Sequence, residues 1–243
     1  MPRLLMIAHD HLSPGGAVAA RFAERGYDLT ELLVVPEDRF HEPGVEASFP
    51  DPRSYDVLLL LGAPWSAYGQ DVASWVPPEV EMLRQADQAG VPVLGICFGG
   101  QLLASAHGGS VHATPAPEIG LHAVHSPDPV FDGLWFEWHV DRFVPPPGGV
   151  VVARNAAAPQ AFVLRRNLGL QFHPEVDADG LEGWLSGGGR TQAERAGLDP
   201  DVLIAHVRAN DPAIRARAAA LVDHFLDRVA TGASYVEGDE LAS

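Results

Sequence analysis

The chain contains a single cysteine, which lies in the glycine-rich segment GICFG at residues 95–99. The apolar residues of 91–96 predict a buried parallel strand and 101–106 predict a helix, so Cys97 falls on the turn between them. Such a sharp turn needs glycines because neighbouring backbones approach closely. A thiol at a helix N-terminus is favoured as the thiolate, so the pattern indicates a nucleophilic cysteine. A buried cysteine in an ordinary turn is the alternative that this segment alone leaves open.

A second motif supplies a base for that thiol. The segment LGLQFHPEV at residues 168–176 places His173 and Glu175 directly after an apolar stretch. His173 can take the thiol proton and later protonate a leaving amine, while Glu175 can hold the imidazole in the required tautomer. The two motifs together predict a triad in the order Cys97, His173, Glu175.

Acyl transfer also needs hydrogen-bond donors for the oxyanion of the tetrahedral intermediate. The backbone N–H of Phe98 follows the predicted nucleophile directly. The loop after the apolar strand 57–61 begins with Gly62 and Ala63 and is the candidate for the second donor. We expect Gly62, Ala63 and Phe98 to form the oxyanion hole.

The segments GICFGGQLLA and LQFHPE resemble the motifs of the class I, or triad-type, glutamine amidotransferase family, and in particular its stand-alone GMP-synthase-like branch. The resemblance covers about residues 3–176 and continues more loosely to the last helix. It implies a flavodoxin-like fold, with Cys97 as nucleophile, His173 as base and acid, and Glu175 as the residue that orients His173. It also implies that Gln101 helps to seat the glutamine substrate.

Three further segments bear on the comparison with that branch. The family usually has two glycines before the proline of the oxyanion loop, whereas this chain has Gly62-Ala63, and alanine resists the positive φ that a peptide flip would require. The segment WHVD at 138–141 resembles the W-H-x-D segment of the branch, so Asp141 could meet the ammonium group of glutamine. An ion pair at a strand end is the alternative for Asp141. Glu118-Ile119-Gly120 also matches the branch and is interpreted as structural.

The composition excludes several functions. The 32 acidic and 16 basic residues give a formal charge of −16, which argues against nucleic-acid and anionic-membrane partners. All the basic residues are arginines, so a lysine Schiff base and a Walker-loop lysine are both excluded, and no cofactor is expected. A single cysteine and the lack of any membrane-length apolar run predict a cytoplasmic protein. The first residues read as a strand rather than a signal peptide.

Two histidine pairs invite a zinc hypothesis. His9 and His11 are separated by one residue, and His122 and His125 by two. Zinc sites usually need further cysteine or carboxylate ligands, which the sequence does not place near either pair. We therefore expect no metal site.

The order of elements predicts an α/β fold with a mostly parallel central sheet flanked by helices. We predict one domain over 1–243, with a core over about 3–176, a helical extension over 177–230 and a frayed tail over 231–243. The predicted strands are 3–8, 29–35, 57–61, 91–96, 120–124, 150–153, 162–165 and 168–172, and the predicted helices include 17–25 and 77–89.

The C-terminal extension carries two more patterns. Apolar residues from Ile214 to Val229 repeat at three- and four-residue steps, which predicts a final helix docked on the sheet, with a partner-binding helix as the alternative. Residues 180–200 are polar and rich in glycine and could form a lid. We interpret Gly187-Gly188-Gly189 as a flexible connector rather than a ligand loop.

Three functions are consistent with these residues. The first is hydrolysis of the glutamine γ-amide through a Cys97 thioester, with ammonia passed to a separate synthetase, because this chain offers neither space nor a lysine for an ATP-using domain. The second is a γ-glutamyl peptidase or transferase, in which a larger amine leaves. The third is a non-catalytic binding module, which the complete predicted triad disfavours.

Overall fold

The computed structural model describes residues 1–235, in which strands and helices alternate as far as residue 106. The strands are β1 (Arg3–Ala8), β2 (Asp28–Leu33), β3 (Val57–Leu60), β4 (Val93–Ile96), β5 (Ser110–Val124), β6 (Gly133–Val144), β7 (Val150–Arg154), β8 (Pro159–Leu164) and β9 (Asn167–Leu170). The helices are α1 (Gly16–Glu24), α2 (Val76–Ala89), α3 (Phe98–Ala106), α4 (Ala178–Trp184), α5 (Arg190–Arg195) and α6 (Pro200–His224).

The central sheet has the strand order β2-β1-β3-β4-β9-β8-β7. The five strands from β2 to β9 are parallel to their neighbours, and β8 and β7 continue the sheet as antiparallel strands. The predicted fold class, a mostly parallel sheet flanked by helices, is confirmed.

Helices cover both faces of this sheet, which explains why its central strands are apolar throughout. Every residue of β3 and β4 is buried. On β1, Leu4 and Met6 pack with α1 and α6, whereas Leu5 and Ile7 pack with α2 and α3 on the opposite face. A parallel strand that is buried on both faces needs apolar residues at consecutive positions.

The parallel arrangement brings the carboxyl ends of four adjacent strands to one edge of the sheet. Their next residues include His9 after β1, Gly62 after β3, Cys97 after β4 and His173 after β9. Ligand sites of open α/β sheets lie at this edge. The fold therefore places both predicted triad motifs and the oxyanion loop together.

The region 110–165 differs from its prediction. The short strand expected near residues 120–124 is part of a 15-residue strand, β5, and the 12-residue strand β6 was not predicted at all. These two strands form a separate antiparallel ribbon. The strand β6 alternates buried and exposed residues, but Glu137, His139 and Asp141 occupy buried positions, so its hydrophobic pattern is interrupted.

The C-terminal helices pack against the core as the sequence predicts. Leu221, Val222 and Phe225 are fully buried against α1 and the sheet. The helix α3 begins at Phe98, three residues before its predicted start. No helix within the described residues is long and apolar enough to cross a membrane.

The predicted frayed tail over 231–243 is described only as far as Tyr235, and residues 236–243 lie outside the described part of the chain. The hydroxyl of Tyr235 and Nε2 of His224 on α6 are hydrogen-bonded at 2.6 Å. At least this end of the tail is held against the last long helix. The division of the chain into core, extension and tail stays a prediction.

The glycines after Cys97 are required by close packing, which gives a first prediction. A Cβ atom on Gly99 would lie 2.5 Å from the carbonyl oxygen of Leu60, closer than van der Waals contact allows. We expect Gly99→Ala to lower the free energy of unfolding by about 1–3 kcal/mol through overpacking. Urea unfolding measures this change.

Gly183→Ala is the matched control, because Gly183 lies in α4 and the nearest atom to its added Cβ would be 3.6 Å away. Helix propensity predicts a gain of up to about 1 kcal/mol for that variant. Equal stability of the two variants would contradict the packing argument.

Candidate active site

Cys97 occupies a strained turn between β4 and α3. Its φ of 49° and ψ of −105° place it in a region that non-glycine residues rarely adopt. Strain of this kind costs about 1–3 kcal/mol and persists where the surroundings impose it. The N–H of Cys97 donates to the Leu170 carbonyl at 2.8 Å, and the N–H of Gly99 donates to the Leu61 carbonyl at 3.1 Å. The neighbouring strands thus hold the thiol at the N-terminus of α3.

His173 is held by hydrogen bonds from its backbone and its ring. Its N–H donates to the Phe136 carbonyl at 2.8 Å, and its Nδ1 donates to Oε1 of Glu175 at 2.7 Å. Both side chains are buried. Burial alone would lower the pKa of His173, but the Glu175 carboxylate and the nearby Cys97 sulfur raise that pKa well above its usual range. The site therefore favours an imidazolium opposite the sulfur.

The structure brings Cys97, His173 and Glu175 together at the edge of the sheet. Nε2 of His173 points away from Glu175 and makes no hydrogen bond within the described residues. A Cβ atom on Gly62 would lie 3.1 Å from Cε1 of His173 and 3.9 Å from Cβ of Cys97, so Gly62 packs beside both residues. Catalytic hydrogen bonds often tighten only when substrate binds, so Nε2 is free to engage the thiol.

The predicted oxyanion donors lie on two adjacent strand ends. Phe98 is the first residue of α3, so its N–H has no partner within that helix. The N–H of Ala63 makes no hydrogen bond to protein within residues 1–235. The φ angle of Ala63 is not positive, so alanine fits this loop without strain.

Gln101 and Asp141 are adjacent and buried at the same cavity. Nε2 of Gln101 donates to the Asp141 backbone carbonyl at 3.2 Å. The Asp141 carboxylate accepts hydrogen bonds from the Ser66 hydroxyl at 2.5 Å and from the Tyr68 hydroxyl at 2.8 Å. No cation pairs with Asp141 in the described part of the chain, so the ion-pair alternative is wrong there. The hydrogen-bond partners of the Asp141 carboxylate in the described residues are neutral hydroxyl groups.

A cavity of about 540 Å³ opens above these residues. Cys97, His173 and Asp141 lie in its wall, as do Gly62, Ala63, Phe98 and Gln101. The C-terminal extension closes another side with Trp184, the glycine triplet 187–189 and Arg195. The segment 180–200, which the sequence suggested as a lid, is thus part of the cavity wall. Its glycines connect α4 to α5 and also line the cavity, where Gly188 has a φ of 107°.

The histidine pairs do not assemble a metal site. His9 is hydrogen-bonded to Glu79 and to the carbonyl of Gly62. Within residues 1–235, no group of three or more histidine, cysteine, aspartate or glutamate side chains has an arrangement suited to a metal ion.

A comparison with protein families matches residues 16–181 to the model described as glutamine amidotransferase class-I. The match covers well over half of the chain. The chain belongs to the class I glutamine amidotransferase family. The resemblance predicted from the two motifs is thereby confirmed.

Curated relatives of this class I glutamine amidotransferase include large and small proteins. The GMP synthase [glutamine-hydrolyzing] of Thermomicrobium roseum is 42% identical over 132 residues, which are 49% of this chain but 23% of that protein. A GMP synthase [glutamine-hydrolyzing] subunit of Sulfolobus acidocaldarius is 36% identical over 137 residues, which are 51% of this chain and 69% of that smaller protein. The chain spans about a quarter to a third of the length of the first curated relatives it matches.

Solved structures match nearly the whole chain. A glutamine amidotransferase of Thermotoga maritima has a TM-score of 0.79 at 24% identity and covers 93% of this chain and 98% of its own. A glutamine amido transferase of Methylobacillus flagellatus has a TM-score of 0.78 at 25% identity and covers 98% of this chain and 97% of its own. The fold, including the C-terminal helices, is therefore shared with these proteins.

Sequence reasoning missed two contacts in this site. Nε2 of Gln171 donates to Sγ of Cys97 at 3.6 Å. The ring of Trp184 packs edge-on against the His173 ring, with centroids 4.9 Å apart. Gln171 lies inside the LQFHPE motif and could have been found there, whereas nothing in the sequence links Trp184 to His173.

A buried charge cluster reaches the cavity wall through His139. Nε2 of His139 is 3.3 Å from Glu118 and 3.2 Å from Glu137. Burial works to lower the pKa of His139, but its contacts with Glu118 and Glu137, together with the charges of Glu137 and Cys97, raise that pKa to about 9. The ribbon strand β6 therefore carries a histidine that stays protonated at neutral pH.

This cluster predicts a pH dependence of stability. An unfolded histidine loses its proton near pH 6.5, and folded His139 keeps its proton up to about pH 9. Because the folded state binds the proton more tightly, the stabilisation is fully present below about pH 6.5 and is lost as pH rises towards 9. The stability difference between the natural protein and His139→Gln should shrink over this window by up to about 3 kcal/mol.

Urea unfolding at several pH values measures this difference. His112→Gln is the control, because His112 is exposed on β5 and should give a profile parallel to that of the natural protein. A parallel profile for His139→Gln would show that His139 is not the group responsible.

Proposed function

We propose that this protein hydrolyses the γ-amide of glutamine through a thioester on Cys97. The observation that carries the proposal is the buried His173–Glu175 hydrogen bond beside a thiol on a strained strand-to-helix turn. A nucleophile, a base and a group that orients the base are the parts of a covalent acyl-transfer site. Membership of the class I glutamine amidotransferase family supports the same chemistry.

The proposed reaction has two steps. The Cys97 sulfur attacks the γ-carbonyl carbon, and the resulting oxyanion accepts hydrogen bonds from the N–H groups of Phe98 and Ala63. The C–N bond then breaks, and ammonia leaves with a proton from His173. In the second step His173 takes a proton from water, the water oxygen attacks the thioester, and glutamate leaves with the Cys97 thiol restored.

Asp141 and Gln101 are proposed to hold the amino-acid end of the substrate. The Asp141 carboxylate lines the cavity and is held only by neutral hydroxyl groups in the described structure, so it can accept the α-ammonium group. Gln101 fixes the backbone of Asp141 through its amide. In this arrangement the bound glutamine extends from its α-ammonium group at Asp141 to its γ-carbonyl group at Cys97.

We further propose that ammonia passes to a separate synthetase chain. The Sulfolobus acidocaldarius relative is named as one subunit of a GMP synthase, so at least one relative functions as a part of a synthase. If a synthetase takes up the ammonia, the glutamine that is hydrolysed is not wasted.

A γ-glutamyl peptidase is the second candidate function, and the cavity is large enough for its substrates. A cavity of about 540 Å³ lies in the range typical of ligands larger than glutamine. Arg195 lines the cavity and could meet a carboxylate on a leaving amino acid. The triad would act unchanged, with a larger amine as the leaving group.

The covalent mechanism predicts unequal effects of two substitutions. Cys97→Ala should abolish glutamine hydrolysis, because the thiol is the only proposed group for covalent attack. Glu175→Gln should retain more activity, because His173 is still present as the base. Substitution of the orienting residue of a triad commonly lowers kcat by fewer powers of ten than substitution of the nucleophile. Release of ammonia from glutamine measures both effects.

Labelling provides the control for that experiment. An electrophilic glutamine analogue should modify Cys97 in the natural protein and nothing in Cys97→Ala, as read by mass spectrometry. Undiminished glutamine hydrolysis by folded Cys97→Ala would falsify the mechanism.

Substrate preference separates the two candidate functions. We expect kcat/KM for glutamine to exceed that for γ-glutamyl dipeptides, and addition of the cognate synthetase to raise the glutamine rate. Steady-state kinetics with both substrates test this. High turnover of γ-glutamyl dipeptides with glutamine as a poor substrate would assign the peptidase function and leave the triad in place.

A further inference from the structure

His9 lies beside the oxyanion loop and is completely buried. It is the first residue after β1, the strand that pairs with β3, and Gly62 follows β3. The two ring nitrogens of His9 are 3.1 Å from the carbonyl oxygen of Gly62 and 3.0 Å from Oε1 of Glu79. Glu79 lies on α2 and is also completely buried.

Both partners of His9 are hydrogen-bond acceptors. A backbone carbonyl can only accept, so Nδ1 must carry a hydrogen towards Gly62, and an ionised Glu79 requires a hydrogen on Nε2 as well. Burial lowers the pKa of His9, but the charge and the hydrogen bond of Glu79 raise it above its usual value. Glu79 thus favours the form of His9 that donates to Gly62.

The bond to Gly62 sets the direction of the next N–H group. The peptide between Gly62 and Ala63 is trans, so its carbonyl and its N–H point in opposite directions. His9 holds the carbonyl on the buried side of the loop. The N–H of Ala63 is therefore directed away from His9, and both Gly62 and Ala63 line the cavity that contains Cys97.

The ring of His9 also contacts the residue with the other proposed donor. Its centroid is 4.8 Å from that of Phe98, and Trp75 stacks on it with centroids 5.7 Å apart. His9 therefore touches both halves of the proposed oxyanion hole. Buried ion pairs are weak evidence for a stabilising role, because apolar replacements of such pairs are often neutral or stabilising.

We propose that His9 and Glu79 form a positioning pair that holds the Gly62–Ala63 peptide with its N–H towards the oxyanion. The inference rests on the proposed function, since it assigns a role in that reaction. His9 touches no substrate atom and acts through the peptide that it orients. The pair also opposes a peptide flip in this loop.

The kinetic test uses three variants. His9→Phe removes the hydrogen-bond donor and keeps a ring, whereas His9→Asn keeps an amide donor near the position of Nδ1. His224→Phe is the control, because it removes a largely buried histidine outside the cavity. An oxyanion exists only in the transition state and intermediate, so we expect His9→Phe to lower kcat by about 10–100-fold with little change in KM. His9→Asn should recover part of that loss, and His224→Phe should match the natural protein.

A structural readout does not depend on activity. Crystal structures should show the Gly62 carbonyl hydrogen-bonded to His9 in the natural protein. In His9→Phe the same carbonyl should point in a different direction. If His9→Phe does not fold, Glu79→Gln replaces it, with a smaller fall in kcat expected because neutral His9 can still donate from Nδ1. An unchanged peptide orientation in His9→Phe, or an unchanged kcat, would overturn the inference.

The two proposals fail in different ways. A natural protein that releases no ammonia from glutamine would refute the proposed function, while the peptide orientation in the His9→Phe crystal would still decide the role of His9. A natural protein that hydrolyses glutamine, together with a fully active His9→Phe, would refute the positioning role alone.

Discussion

The left-handed backbone at Cys97 is the constraint on which the site depends. It requires β4 to end beside β3 and β9, since the N–H groups that hold the turn donate to carbonyls of Leu61 and Leu170. It also requires Gly99, because a side chain there would strike Leu60. The parallel sheet therefore does more than support the site. Its adjacent carboxyl ends bring together the proposed nucleophile, base and oxyanion loop, which lie far apart in the sequence.

Around this turn, buried charges organise the site in pairs. Glu175 acts on His173, Glu79 acts on His9, and the carboxylates of Glu118 and Glu137 act on His139. In each case burial disfavours an imidazolium and a neighbouring carboxylate offsets that cost. Only His173 is placed beside the thiol. His139 lines the same cavity on β6, and His9 lies outside its lining, hydrogen-bonded to the carbonyl of Gly62.

The sequence was most informative where a local pattern carries the chemistry. Cys97 and His173 were predicted from short motifs, and the strands that deliver them were predicted from apolar runs. The strand β6 was missed because its buried face carries Glu137, His139 and Asp141, so alternation in polarity does not reveal it. The contact of Trp184 with His173 and the contact of His9 with Gly62 join distant segments, and no local pattern encodes them. Tertiary structure was needed to recognise these residues as parts of the site.

The central claim is that Cys97 becomes covalently attached to the γ-glutamyl group during turnover. Rapid acid quenching of the protein with glutamine, followed by peptide mass spectrometry, tests it directly. The account predicts a γ-glutamyl adduct on the peptide that contains Cys97, formed before the first equivalent of glutamate is released. Turnover of glutamine with no such adduct under any quench time, or with the adduct on another residue, would contradict it.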